Sequence, residues 1–408
     1  SMETQLASMR MGVPSTLELE TINVAQTDSL NNIFILDGQT DNILAHIHKS
    51  YIPFSEHEKD KQTGISMLTL TAIDNEKYSR YIGKRNGLIV PGEDGKLLEF
   101  RIIRAEKYRN VDGVPLIDLY ATEGYHDLKN AKVIMPFKSE QETAEWHVNN
   151  AISGTEFNIG TIDYKGAKSI EFIEATNPYD YLRKIANEFE LELDFYITTN
   201  GTNITRYVDL VERVGEWRGR VIEFGKDLKS LNRIEETDRI VTALVGFGPE
   251  REDGTRLSVF VEDREALERW GRNGQHIVDT YYPQTERIDM TEEELEQYTR
   301  TELKKRINEV VTYEIEIVDL EHVSGLENKK IRFGDTIFIK DIEFNPPLYL
   351  ESRIFNQKRD LFNRTPKTVM LGDYREYTQD EIDALWNQLK DSIMKRIRQL
   401  QSTVQMVP

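Results

Sequence analysis

Between Gly87 and Tyr120 the chain reads GLIVPGEDGKLLEFRIIRAEKYRNVDGVPLIDLY, in which alternating apolar segments are separated by Asp94-Gly95 and again by Asp112-Gly113. Alternation with a period of two sends side chains to opposite sheet faces, and Gly accepts the positive φ that a tight hairpin demands. Two Asp-Gly pairs between such segments restrict this stretch to antiparallel strands joined by hairpins. NIFILDG and MLTLTAI upstream, and ATEGY downstream, extend the same character, so residues 31–135 are expected to form one β module.

The pattern then changes. In EFIEATNPYDYLRKIANEFELELDFYI, Asn177 can cap a helix whose first position suits Pro178, and Tyr181, Leu182, Ile185, Ala186 and Phe189 recur at helical spacing. A hairpin turning at Asn200-Gly201 follows, completing a small mixed domain over residues 136–223. A second β region is expected over residues 224–375. KSLNRIEETDRIVTALVGFG reads as a strand returning to a larger sheet, and a helical insertion follows around 262–310, where Thr291 and Glu294 have capping-box spacing. Tyr313, Ile315 and Ile317 then resume the alternation. In KIRFGDTIFIKDIEF the couples Ile331/Phe333 and Ile337/Ile339 flank Gly334-Asp335, which favours a bend between two strands over an acidic site. LYLESRIF and TVMLGDY continue the sheet, with Pro346-Pro347 confined to a link.

The last segment, residues 376–408, opens on a second capping box, Thr378 and Glu381. Ile382, Trp386, Leu389, Ile393 and Leu400 then approximate a heptad seam interrupted by Arg396. An amphipathic helix is expected, and because the seam is still running we expect the front portion of a longer polypeptide. SMETQLASMRMGV, within residues 1–30, reads as a tag remnant or N-terminal arm and is left out of the fold. The fold class is therefore α+β, predominantly antiparallel β.

A chain of 408 residues exceeds one ordinary core, which implies two to four domains. Its 71 acidic against 52 basic residues leave a net charge of −19, a sign that repels phosphate backbones and disfavours specific DNA binding. The same repulsion suits a conduit through which DNA must slide. Without cysteines there are no disulfides, thiolate metal sites or cysteine nucleophile. No apolar run has the length to span a bilayer, so no membrane insertion by this segment is expected.

Catalytic signals are sparse. His46 and His48 would share one strand face, as some metal sites require, but only His57 and scattered carboxylates lie nearby in sequence. No HExxH or GxSxG is present. Gly246 and Gly248 in VGFGPE lack the third glycine of a phosphate loop, and Pro249 stands where a helix amide is wanted, so a strand end is the better reading. Acidic residues are numerous, yet a glycosidase needs two at a set separation in a cleft, which a linear pattern does not supply. The acceptor patterns at Asn200, Asn203 and Asn363 are incidental without a signal peptide.

The order of segments is more telling. LEFRIIRAEKY and ATEGYHDLKNAKV, then ATNPYDYLRKIANEFELELDF, then KSLNRIEETDRIVTALVGFG and EALERWGR, then TYEIEIVDLEHV, IRFGDTIFIKD, LYLESRIF and TVMLGDY run from about Ile33 to Tyr374. In this order they resemble the tail hub proteins of phages and prophages of Gram-positive bacteria. That family is called prophage endopeptidase tail or tail-associated lysin, and it is similar in fold to the baseplate hubs of contractile phages.

The resemblance implies two tube-like β-barrel modules per chain and a homotrimer whose pseudo-sixfold ring continues and closes the tail tube. The implied partners are the distal tail protein and tail tube, the tape-measure protein, and a downstream fibre or cell-wall hydrolase region. DNA would pass through on infection without specific binding. The place implied is the virion tail tip, assembled in the bacterial host cytoplasm. No catalytic, cofactor or metal residue carries over, so no enzyme is expected in this chain, the hydrolase of such proteins usually being a separate downstream region. The rival reading is a cell-wall-degrading endopeptidase or glycosidase. A third is a carbohydrate-binding adhesin, although Tyr281-Tyr282 and the four tryptophans are too scattered in sequence to define an aromatic groove.

Overall fold

The alternating segments at the front of the chain form strands β1 (Asn32–Leu36), β2 (Ile43–His48), β3 (Phe54–Asp60), β4 (Ser66–Ile73), β5 (Gly87–Pro91), β6 (Leu97–Arg109) and β7 (Pro115–Glu123). They pair antiparallel in the order β2-β1-β5-β6-β7-β4-β3. The computed structural model describes residues 28–405, apart from 202, 286, 319 and 377, so the proposed arm is almost wholly outside the described residues. Two compact units divide the chain: Leu231–Glu314 makes the smaller, and the residues on either side make the larger.

In the larger unit, Ile35 of β1, Ile47 of β2, Leu70 of β4, Leu88 of β5, Phe100 of β6 and Leu119 of β7 meet in one core. A sheet whose distant strands share a core must curl. It does not close, however: among the described residues no pairing joins β2 to β3, so the first module is a curled open sheet and not a closed barrel. The free edge of β3 is taken elsewhere, by the strand β13 introduced below. The hairpin signals hold. Asp94 (φ 59) and Gly95 (φ 71) make a two-residue turn with both residues left-handed, and Gly113 (φ 77) sits in a slightly longer loop closed from Asn110 to Val114.

Helix α1 (Ala144–Ile152), strand β8 (Phe157–Ile162), helix α2 (Pro178–Glu188) and strands β9 (Glu192–Asn200) and β10 (Asn203–Val211) follow. The Asn177 side chain caps α2 by accepting from the Asp180 N–H at 3.0 Å, with Pro178 at the first turn. Tyr181, Leu182 and Ile185 are fully buried in the local core, as the stripe predicts. Strand β8 lies parallel to β10, which pairs with β9 across the Gly201 turn.

Strand β11 (Trp217–Glu223) runs parallel to β12 (Thr336–Asp341). Strand β13 (Leu348–Arg359) pairs antiparallel with β12, with β14 (Lys367–Glu376), and, through Asn356–Arg359, with His57–Asp60 of β3. Residues 331–335 form a turn and not a second strand: the Asp335 N–H bonds to the Arg332 carbonyl and the Gly334 N–H to that of Ile354, so these groups are spent on the bend. Helix α3 (Gln379–Gln405) opens on a reciprocal capping box. The Glu381 N–H donates to Thr378 Oγ1 at 3.3 Å, and the Thr378 N–H donates to Glu381 Oε2 at 3.2 Å. Leu385, Ile393, Met394 and Ile397 on it are exposed, whereas the seam positions Trp386, Leu389 and Leu400 lie outside the described side chains.

The smaller unit corrects one expectation. Leu228–Glu236 does join the larger sheet, as expected, but VTALVGFG does not, and the insertion is not purely helical. Ala243–Phe247 is the middle of a separate three-stranded sheet, antiparallel to Ser258–Glu262 and parallel to Val278–Tyr281. Helices Arg264–Trp270 and Glu292–Lys304 accompany it, and Leu295 and Leu303 of the second pack on Leu244 and Val261. Those contacts supply an apolar core independent of the larger sheet.

Candidate functional site

The unusual feature of the larger unit is a polar seam where β3 meets β13. Strand β3 places Ser55, His57 and Lys59 on the face that an ordinary sheet fills with apolar side chains. Opposite them, Arg359 pairs with His57 and Gln357 with Lys59. Charge arrives from five other elements: Glu93 from the β5–β6 turn, Glu123 from the end of β7, Asp194 from β9, Arg332 from the turn before β12 and Lys367 from the start of β14.

These groups are largely paired. Glu93 receives Lys367 Nζ at 2.6 Å, Arg332 at 3.1 Å and Gln357 Nε2 at 2.7 Å. Arg332 also grips Asp94 at 2.7 and 2.8 Å and Glu321 at 2.7 Å by two bonds. Burial alone would raise the Glu93 carboxyl, yet Lys367, Arg359 and Arg332 together bring it down to about 2. Lys59 reaches Asp194 at 3.4 Å, and His57 Nε2 lies 2.8 Å from the Ser66 hydroxyl. Burial, reinforced by Arg359 and Lys59, keeps His57 neutral. The paired bonds of Arg332 to Asp94 and to Glu321 fix geometry as well as charge.

Gln357 Oε1 is left without a partner, and among the charged groups Glu123 stands out. It is buried, its Oε2 has no hydrogen-bond partner, and burial pushes its carboxyl up to about 7 against the pull of Lys59 and Ser66. A carboxyl in that range is what a general acid requires. Yet the adjoining cavity, lined by Lys59, Glu123, Tyr125, Tyr179 and Asp194, has a volume of about 180 Å³. That is below the few hundred Å³ of typical ligand pockets and far short of a polysaccharide or peptide strand.

A pH prediction follows. Since the folded-state pKa of Glu123 is raised, the native chain holds a proton that the unfolded chain releases between about pH 4.5 and 7. Its contribution to stability therefore falls as pH rises through that window and is flat outside it. The facing groups Lys59, Asp194, Ser66 and Arg359 are common to the wild type and Glu123→Gln. The variant is expected to match wild type in denaturant melts at pH 4 and to exceed it by about 1–2 kcal/mol at pH 8. Equal stabilities at both pH values would refute the assignment.

The sequence candidates fall elsewhere. His46 and His48 share the exposed face of β2 as their spacing predicts, and His48 Nδ1 accepts the Ser50 N–H at 3.2 Å. Among the described residues no group of three or more His, Asp or Glu is placed to hold a metal. Asp335 is buried and anchors three donors: the N–H groups of Glu216 (2.9 Å) and Arg332 (2.8 Å), and Arg218 Nε (2.9 Å). Gly246 lies in a strand under a helix, where a Cβ would meet Thr299 Oγ1 at 2.0 Å; close packing explains it without a phosphate. Tyr281 and Tyr282 do come together with a third tyrosine, Tyr298, around an open groove in the smaller unit. The seam at β3 was missed, although Ser55, His57 and Lys59 at every second position of a strand pattern were its visible signal.

Residues 217–382 match the family model described as prophage endopeptidase tail. Among curated proteins, none matches the chain in sequence. Two solved structures share the fold: the tail protein from Neisseria meningitidis MC58 and the 43 kDa tail protein of prophage MuSo2 from Shewanella oneidensis. Each has a TM-score of 0.53 at 10% identity over 84% of this chain, and the match covers 97% of the first protein and 98% of the second. A prophage tail protein from Listeria monocytogenes EGD-e aligns at 12% identity over 89% of this chain and 99% of its own, with a TM-score of 0.49. Residues 217–382 thus match the sequence pattern of the prophage endopeptidase tail family, on a chain that shares its fold with these two tail proteins.

Proposed function

We propose that this chain is a structural hub at the tip of a phage tail, working as a homotrimer that continues the tail tube. What carries the reading is the pairing of β3 with β13, which joins a front sheet and a rear sheet edge to edge within one polypeptide. Two β modules per chain, set side by side, are what a threefold assembly needs to present six comparable positions to a sixfold tube. In the domain scheme proposed, residues 31–135 and 224–375 supply the two tube modules, 136–223 a bracing domain, and 376–408 the helix toward a downstream fibre or hydrolase. The distal tail protein, tail tube and tape-measure protein are the neighbours above, and the acidic balance leaves DNA free to pass.

Light scattering on concentrated protein, followed by negative-stain imaging, tests the ring. Particles of three times the 47.5 kDa chain with threefold classes are expected. Compact monomers at every concentration, with no threefold particle even in the presence of tail-tube protein, would overturn it. The hub reading also predicts no clearing when the chain is run in a gel containing bacterial cell wall, with or without a chelator. A clear band would instead support the hydrolase reading.

A further inference from the structure

We propose that the tyrosine groove of the smaller unit is a binding site for a neutral carbohydrate. The edge strand Val278–Tyr281 leads into Tyr282-Pro283-Gln284-Thr285, and helix Glu292–Lys304 returns beside it. Tyr298 and Glu302 stand one helical turn apart on one helix face, and Arg306 follows a turn later. With Tyr281 and Tyr282 they line a groove of about 620 Å³, within the range of small-ligand sites.

The groove is firm where it must be. Tyr282 stacks on Phe247 with centroids 5.2 Å apart and lies under the Arg256 guanidinium at 5.7 Å, yet 54% of it remains exposed. Arg306 is held by Glu302 at 3.0 and 3.1 Å and by Asp279 at 3.4 Å. Tyr298 keeps 48% of its surface exposed on the opposite wall. With Phe247 and Arg256 already against its ring, Tyr282 contributes its edge and hydroxyl, and the Tyr298 ring is the one left to attract the weakly positive C–H face of a pyranose.

The polar lining selects the class of sugar. Glu302 accepts, Arg306 donates, and Gln284, Thr280 and Thr285 can do both, which matches the mixed demand of hydroxyl groups. Because Glu302 and Arg306 neutralise each other, the lining offers neither a cationic cradle for phosphate nor an anionic one for amines. A chain of net charge −19 further repels anionic polymers. A proline-rich peptide would also favour aromatic walls, but such grooves rely on apolar slots with few hydrogen bonds.

The test is calorimetry on the full chain with maltotriose, tri-N-acetylchitotriose, a neutral cell-wall polysaccharide and, separately, a proline decapeptide. At least one sugar is expected to bind. Tyr298→Ala and Gln284→Ala, both at exposed positions, are expected to fold normally by circular dichroism, and loss of the tyrosine should weaken binding by about tenfold. Three results would overturn the assignment: no saturable binding to any sugar, sugar binding indifferent to both substitutions, or binding of the decapeptide alone. The ring is scored by imaging and not by calorimetry, so a negative result in one experiment is distinct from a negative result in the other.

Discussion

Arg206→Ala is expected to destabilise the larger unit by about 3–5 kcal/mol, because it strands a buried carboxylate. Arg206 on β10 bonds both oxygens of Glu99 on β6, at 2.8 and 2.5 Å, and Asp41 at 2.9 Å. Only 6% of its side chain and 4% of that of Glu99 are exposed. Water therefore cannot replace the lost partner, and bulk salt screens such a pair weakly. A methionine pair at both positions, Glu99→Met with Arg206→Met, is expected to recover most of the loss, since two apolar groups leave no charge uncompensated, and Asp41 is partly exposed and can be rehydrated. Denaturant melts give the magnitude, and hydrogen exchange on peptides from Leu97–Arg109 and Asn203–Val211 locates it. An Arg206→Ala chain within about 1 kcal/mol of wild type would show that the pair does not hold the two elements together.

Gly334→Ala is expected to cost about 2–5 kcal/mol, the sum of left-handed strain and a backbone collision. Gly334 has φ 81, and a Cβ there would lie 2.2 Å from the Val214 carbonyl oxygen. The approach is mutual, since a Cβ on Gly215 would lie 2.2 Å from the Gly334 carbonyl carbon. Gly95→Ala separates the two causes: φ is 71 there, but nothing lies within 4 Å of the added methyl, so only about 1 kcal/mol is expected. Thermal melts of the two variants should differ clearly. Equal losses would mean that the crossing of Gly215 and Gly334 can relax.

The part of the fold that was legible rests on neighbours in sequence. The Asn177 cap, the reciprocal box at Thr378 and Glu381, and the left-handed turn at Asp94-Gly95 each depend on residues within a few positions of one another, so their physics is written in the local string. The same holds for the stripe of α2, because helical period and burial face are set together. The reading of residues 331–333 as a strand failed for the opposite reason. Its alternation is real, but the backbone of this stretch is committed to Asp335 and to Ile354, and the second of these comes from another strand.

The candidate sites divide along the same line. Ser55, His57 and Lys59 show in the sequence that one face of β3 is polar, but not whether that face looks outward or into a seam with Arg359 and Gln357, some three hundred residues away. Tyr281-Tyr282 was visible as a pair, whereas Tyr298 joins it only because a helix folds back over the edge of a sheet. By itself the amino-acid string determined turns, caps, strand periods and the repulsive charge, all of which act over a few residues or over the whole surface. Only the tertiary structure decided which strand edges meet, whether a curled sheet closes, and which buried charges face one another. Those outcomes depend on long-range pairing, where the burial of both partners settles the choice.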